Sequence, residues 1–247
     1  MSHPILYDRF VFMKVYSVDT RPAGHAAALL AAAGHQGWCS VLPLDRLGAE
    51  EPTPLLTWRA HRSWIGEVQF CSAGASERTL LLSASNDKSI ALWDLNKSAS
   101  SGRAAQLATV SPHSQGIFAM SERGGRVLSA SKDGVVALSE LTGDALRVVR
   151  QWDELHERVV KSVRWRSTHL FASAGNDAHI AIVDVRQAGG RPATLISDAH
   201  ESAINSITWS PSDEHMVHTH TLPPLLAPTP PPGTPPPCPL HDPPLTP

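Results

Sequence analysis

The amino-acid sequence predicts an all-β fold of about four consecutive four-stranded antiparallel sheets, one strand of a fifth, and a disordered proline-rich tail. Three observations predict it. A 16-residue hairpin pattern recurs along the chain. An alternating apolar strand leads into each copy at a fixed distance from a histidine, and both patterns give way to proline after residue 217.

The hairpin is clearest from Leu80, where the chain reads LLLSASNDKSIALWDL. RVLSASKDGVVALSEL from Arg126 and LLAAAGHQGWCSVLPL from Leu29 overlay it without a gap, and HLFASAGNDAHIAIVDV from His169 overlays it with one extra residue. Self-similarity at such a period marks a repeat architecture. Each copy joins two aliphatic or β-branched runs through a tight polar turn at 86–88, 132–134 or 176–178, which is hairpin chemistry. The turn aspartate recurs as Asp87, Asp133 and Asp177, and Gln36 replaces it in the first copy.

A leading strand begins four residues after a histidine each time: His61 before Ile65, His113 before Ile117, His156 before Val160, His200 before Ile204. Within these runs Val68 and Phe70, Val163 and Trp165, and Ile207 and Trp209 alternate with polar residues, the period of a strand with one face in a core. A fourth strand fits around 105–110, 145–151 and 193–197. The units span about 8–59, 60–111, 112–154 and 155–198, with a partial unit at 199–217 and the tail at 218–247.

The succession of histidine, alternating strand, S-A-S-N-D and I-A-L-W-D over roughly residues 8–215 resembles the WD40 repeat of β-propeller proteins. The resemblance implies a partial propeller of four-stranded blades. It also implies a hydrogen-bonded structural tetrad of His61, Ser83 (or its same-face neighbour Ser85), Asp87 and Trp93 in the second unit. The third unit keeps His113, Ser129 and Asp133, and the fourth keeps His156, Ser173 and Asp177. Ser139 and Val183 stand in place of the tryptophan, so weaker tetrads are expected there. By the same resemblance the upper loops carry partner-binding residues, with Trp64, Asn86, Lys132, Arg158 and Asn176 as candidates. HERVVKSVRW from His156 and DAHESAINSITWSPSDE from Asp198 resemble the histone-binding WD subunits of chromatin complexes. Residues 171–186 resemble the box that docks substrate receptors on the cullin-4 ubiquitin ligase adaptor, with Asp177, Asp184 and Arg186 matching and Val183 where an aromatic is expected.

Composition narrows the function classes. A formal charge of −2 supplies no field for nucleic acid or an anionic membrane. Three cysteines, Cys39, Cys71 and Cys238, show no C-x-x-C spacing and predict neither disulfides nor a zinc knuckle, which suits the cytoplasm or nucleus. The longest apolar run, 26–33, is too short to span a bilayer. His215, His218 and His220 straddle the entry to the tail with no acidic or cysteine partner at useful spacing, so no metal is expected. No nucleophile-elbow, phosphate-loop or zincin motif occurs, and Ser, His and Asp repeated at blade spacing read as scaffold rather than as a hydrolase triad. Glu67 is taken as the only carboxylate on a leading strand. No cofactor and no catalytic residue are expected. The expected role is a non-catalytic scaffold, an adaptor or substrate-receptor subunit. Thirteen of the 21 prolines fall in 218–247, where strands cannot form. With fewer blades than the usual seven, a truncated form is the expectation.

Overall fold

The computed structural model describes residues 14–21, 28–47, 53–71, 78–99, 102–187, 192–197, 200–210 and 217–221. Among these, four four-stranded antiparallel sheets follow one another, each a meander with its strands in chain order. Blade one is β1 (Val15–Arg21), β2 (Leu29–Gly34), β3 (Trp38–Pro43) and β4 (Leu56–Arg59). Blade two is β5 (Ile65–Phe70), β6 (Leu80–Ser85), β7 (Ile90–Ala99) and β8 (Arg103–Val110). Blade three is β9 (Ile117–Arg123), β10 (Arg126–Ser131), β11 (Val136–Thr142) and β12 (Ala145–Trp152). Blade four is β13 (Val160–Trp165), β14 (Leu170–Gly175), β15 (Ile180–Asp184) and β16 (Thr194–Ile196). β17 (Ile204–Trp209) and β18 (Val217–Thr221) pair as a separate hairpin.

The second strand of every blade is rich in alanine and serine because both its faces are pressed between neighbouring sheets. Ala84, Ala130 and Ala174 are fully buried, as are Ser83, Ser129 and Ser173. The hydrophobic core is therefore a series of layers, each shared by two blades. Leu29, Val41 and Trp58 meet Val68, Phe70 and Trp93 in the first layer. Leu82 and Leu92 meet Ile117 and Met120 in the second, and Leu138 and Trp152 meet Val163, Trp165 and Phe171 in the third. Ala172 and Ile180 meet Ile204 and Ile207 in the fourth. Edge-to-face aromatic contacts stitch these layers, Trp58 on Trp93 at 5.5 Å and Trp152 on Phe171 at 5.1 Å.

First strands pack on first strands in succession, β1 on β5, β5 on β9, β9 on β13 and β13 on β17. Each would leave an edge of unpaired backbone groups, an edge that must be satisfied or covered. Polar side chains of the preceding blade supply the missing acceptors. Val68 N–H donates to Ser17 Oγ at 3.1 Å and Phe70 N–H to Asp19 Oδ2 at 2.7 Å. Glu122 N–H donates to Gln69 Oε1 at 2.7 Å, Trp165 N–H to Ser121 Oγ at 3.2 Å, and Ile207 N–H to Ser162 Oγ at 3.2 Å. Neighbouring blades thus share both an apolar layer and hydrogen bonds, and among the described residues the sheets form an open succession rather than a closed ring.

Two expectations need correction. The fifth unit carries two strands, not one, and its second strand, β18, occupies residues 217–221, four of which fall within the expected tail. Val217, Thr219 and Thr221 are β-branched residues alternating with histidine, a pattern that favours strand, and the first proline follows only at 223. Residues 222–247 lie outside the described residues. Glu67 is also not the only carboxylate on a leading strand, because Asp19 lies in β1 and Glu122 in β9. Asp19 latches Phe70, and Glu122 Oε1 accepts from Gly125 N–H at 2.7 Å.

Candidate functional site

In blades two, three and four the hairpin turns and the loops that precede the first strands lie at one end, here the upper end, because Ile65 pairs with Ser85, Ile117 with Ser131 and Val160 with Gly175. What fixes these loops is the polar set in each blade. In blade two, Trp93 Nε1–H donates to Ser83 Oγ at 2.8 Å, and Ser83 Oγ lies 2.7 Å from His61 Nε2. His61 Nδ1 faces Asp87 Oδ2 at 3.1 Å. A neutral imidazole protonated on Nδ1 satisfies every contact, donating to Asp87 and accepting from the Ser83 hydroxyl. Asp87 also accepts from Arg62 N–H at 2.9 Å and from Ser89 Oγ–H at 2.6 Å. Burial pushes the Asp87 carboxyl up, but the bonds from His61, Ser89 and Arg62 outweigh it and hold it well below the usual range. Ser85 has a separate task, donating to Trp64 O at 2.8 Å and accepting from Asp87 N–H.

Blades three and four carry the set without its indole. His113 Nε2 is 2.8 Å from Ser129 Oγ, while its Nδ1, 3.3 Å from Asp133 Oδ1, is off the line of a good hydrogen bond. Burial pushes the pKa of His113 down, against the pull of Asp133. Ser139, at the position of Trp93, is fully buried with its hydroxyl unpartnered. In blade four, His156 reaches Asp177 at 2.9 Å and Ser173 at 2.8 Å, and Val183 fills the indole position. The β17–β18 hairpin holds a further pair that sequence reasoning missed, His200 Nε2 on Thr219 Oγ1 at 2.5 Å. His200 stood at the diagnostic offset before Ile204, and a Ser or Thr opposite Ile207 was the signal to look for. In all of these the hydroxyl is turned into the blade, and Ser83, Ser129 and Ser173 are sealed from solvent, unable to reach a substrate.

Above this frame the structure assembles a row of rings that crosses three blades. Tyr16, at the start of β1, meets Trp64 edge to face at 5.8 Å, and Trp64 meets Phe118 of β9 at 5.3 Å. Lys161 of β13 ends the row with Nζ 3.9 Å from the centre of the Phe118 ring, and burial pushes its pKa down. Gly66 makes room for this, since a Cβ there would lie 2.6 Å from Phe118 O and 2.9 Å from Ile117 O. Tyr16 is 52% exposed, so the row opens to solvent at its blade-one end. Of the sequence candidates, Trp64 belongs to this row. Lys132 and Arg158 are exposed on the same end, and Asn176 lies in a cleft of about 600 Å³ with Glu157, Arg158 and Glu201. Asn86 is half-buried, donating to Ser63 Oγ at 3.1 Å and abutting Gly116.

A second upper cleft, about 700 Å³, lies between blades one and two, lined by His35, Gln36, Trp38, Arg59, Arg62, Ser63 and Trp64. Of the ligase-adaptor box residues, Asp177 sits at the upper end, and Asp184 and Arg186 close on each other at the lower end, where the Arg186 guanidinium donates to Asp184 Oδ2 at 2.6 Å. The Arg186 guanidinium holds the Asp184 carboxyl down at about 2. On the inner strands, Glu67 of blade two and Arg164 of blade four approach to 3.5 Å, and Arg164 also donates to Met120 O at 3.1 Å. Of the tail histidines, His215 lies outside the described residues, and His220 is exposed in β18.

Residues 52–94 match the family model described as WD domain, G-beta repeat. That segment runs from just before β4 to Asp94 of β7, so the sequence repeat is staggered against the blade. It takes the last strand of blade one with the first three of blade two. The chain is 24% identical over 141 residues to the WD-40 repeat-containing protein MSI4 of Arabidopsis thaliana, an alignment covering 56% of this chain and 24% of that protein. The chain thus spans about a quarter of the length of the curated relative it matches.

Proposed function

The chain belongs to the WD40-repeat family, and from that premise we propose that it is a non-catalytic protein–protein interaction scaffold whose upper end carries the contact surface. The observation that carries this reading is the ring row Tyr16–Trp64–Phe118, set on the starts of β1 and β9 and on the loop before β5, which the blade-two tetrad anchors. Large aromatic side chains on a preorganised frame are what protein interfaces use as anchors, because little entropy is lost when they are covered. Family members generally serve as scaffolds, and the buried Ser–His–Asp sets of this chain are consistent with a structural use of those residues.

Affinity capture of the tagged chain, wild type against Tyr16→Ala/Trp64→Ala, tests the reading. Partners recovered by the wild type and lost with the double variant support it, and identical partner sets refute it. The same capture separates two finer readings. Histones among the partners favour a chromatin subunit, for which the stretch from His156 to Glu214 is the supporting resemblance. Recovery of the cullin-4 adaptor, dependent on Arg186, favours a substrate receptor acting in the cytoplasm or nucleus.

A further inference from the structure

We propose that the cleft between blades one and two binds an acidic peptide segment of a protein partner, through Arg59 and Arg62 flanked by the indoles of Trp38 and Trp64. The proposal rests on the scaffold reading and assigns one of its surfaces a ligand chemistry.

The segment carrying the two arginines is pinned from both sides. Ala60 N–H and His61 N–H donate to Gly37 O at 2.8 and 3.1 Å, and Arg62 N–H donates to the tetrad carboxylate of Asp87. Gly37 holds a left-handed φ of 78°, and a Cβ there would sit 2.1 Å from His61 O, so this close approach requires glycine. The backbone under the arginines is therefore rigid, while both side chains are exposed.

Charge then decides the ligand. Among the described residues neither guanidinium makes an ion pair, in contrast to Arg78, Arg126, Arg164 and Arg186, each of which is held by a carboxylate. Among the described residues the cleft lining contains no Asp or Glu. The nearest tetrad carboxylate, Asp87, is spent on His61, Ser89 and the Arg62 backbone. Two unpaired guanidiniums on a fixed backbone match carboxylates in a forked geometry. The adjacent indoles offer apolar faces for the residues between those carboxylates. The opening of about 700 Å³ admits a few residues of extended chain rather than a folded domain.

The test measures anisotropy of a fluorescein-labelled nine-residue peptide with four Asp or Glu and one Phe. Its comparators are the Asn/Gln version of that peptide and a nine-nucleotide oligouridine. The acidic peptide is expected to bind at least about tenfold more tightly than the neutral one, with affinity falling as salt rises from about 50 to 300 mM. Arg59→Gln/Arg62→Gln should abolish that preference, while Lys132→Gln/Arg158→Gln leaves it intact, with unchanged melting of both variants as the control. Equal binding of the acidic and neutral peptides, no binding of either, or a preference that survives Arg59→Gln/Arg62→Gln overturns the proposal. Tighter binding of oligouridine also overturns it, in favour of a nucleic-acid site. A wild-type chain that shows no acidic-peptide preference while partner capture through Tyr16 and Trp64 stays intact would sink this inference and leave the scaffold reading standing.

Discussion

Replacing Ser83 by alanine strands two buried groups at once. The Ser83 hydroxyl accepts from Trp93 Nε1–H and donates to His61 Nε2, at 2.8 and 2.7 Å, in a site with no exposure to water. A buried polar group left without its partner costs about 1–3 kcal/mol, so the loss is about 2–6 kcal/mol. Ser129→Ala and Ser173→Ala each strand only one imidazole nitrogen, because Ser139 and Val183 replace the indole, and their expected cost is about 1–3 kcal/mol. Urea denaturation of the three variants gives the comparison, and a cycle with Trp93→Phe isolates the indole's share. Ser83→Ala should be the most damaging, and its excess should vanish in the Trp93→Phe background. Equal costs at all three serines, or an excess that persists without the indole, would refute the tetrad account.

Acid should destabilise the fold in two stages. His113 has a lowered folded pKa, so the unfolded chain binds its proton first, and stability declines as pH falls below about 6.5. Asp87, Asp133 and Asp177 also have lowered folded pKa values, so their contribution is complete above about 4 and is lost below it. Melting temperature against pH reads both stages, and His113→Gln should remove the upper one. Gly66→Ala drives a methyl against the Phe118 and Ile117 carbonyls, and should cost about 1–3 kcal/mol and quench the Trp64–Phe118 contact, seen as a changed near-UV dichroism. Ser139→Ala removes a buried hydroxyl that has no partner, and should leave stability unchanged or raise it by up to about 1 kcal/mol.

The repeat made the blades legible because periodic constraints leave periodic sequence. A small residue is required wherever a second strand is squeezed on both faces, and a histidine wherever a turn carboxylate must be paired. The ring row was only partly legible. Trp64 stood out, but Tyr16 and Phe118 come from strands about 50 residues to either side and meet it only because successive first strands pack together. Likewise, Ser17, Asp19, Gln69, Ser121 and Ser162 read as ordinary polar positions of an alternating strand, and their acceptor role emerges only across the blade boundary. Asn86 has a contact that its turn position did not reveal, its amide donating to Ser63 Oγ of the preceding loop. β18 was hidden by its neighbours, since five strand-forming residues border a run of prolines.

Hydrogen exchange at the backbone amides of Val68, Phe70, Glu122, Trp165 and Ile207 tests the stacking of blades most directly. These groups point away from their own sheets and find acceptors only on the blade before. Slow exchange at all five, with Val68 alone released by Ser17→Ala, is the expected result. Exchange at the rate of an unprotected strand edge would mean that the sheets do not stack, and the upper face built on that stacking would have no basis.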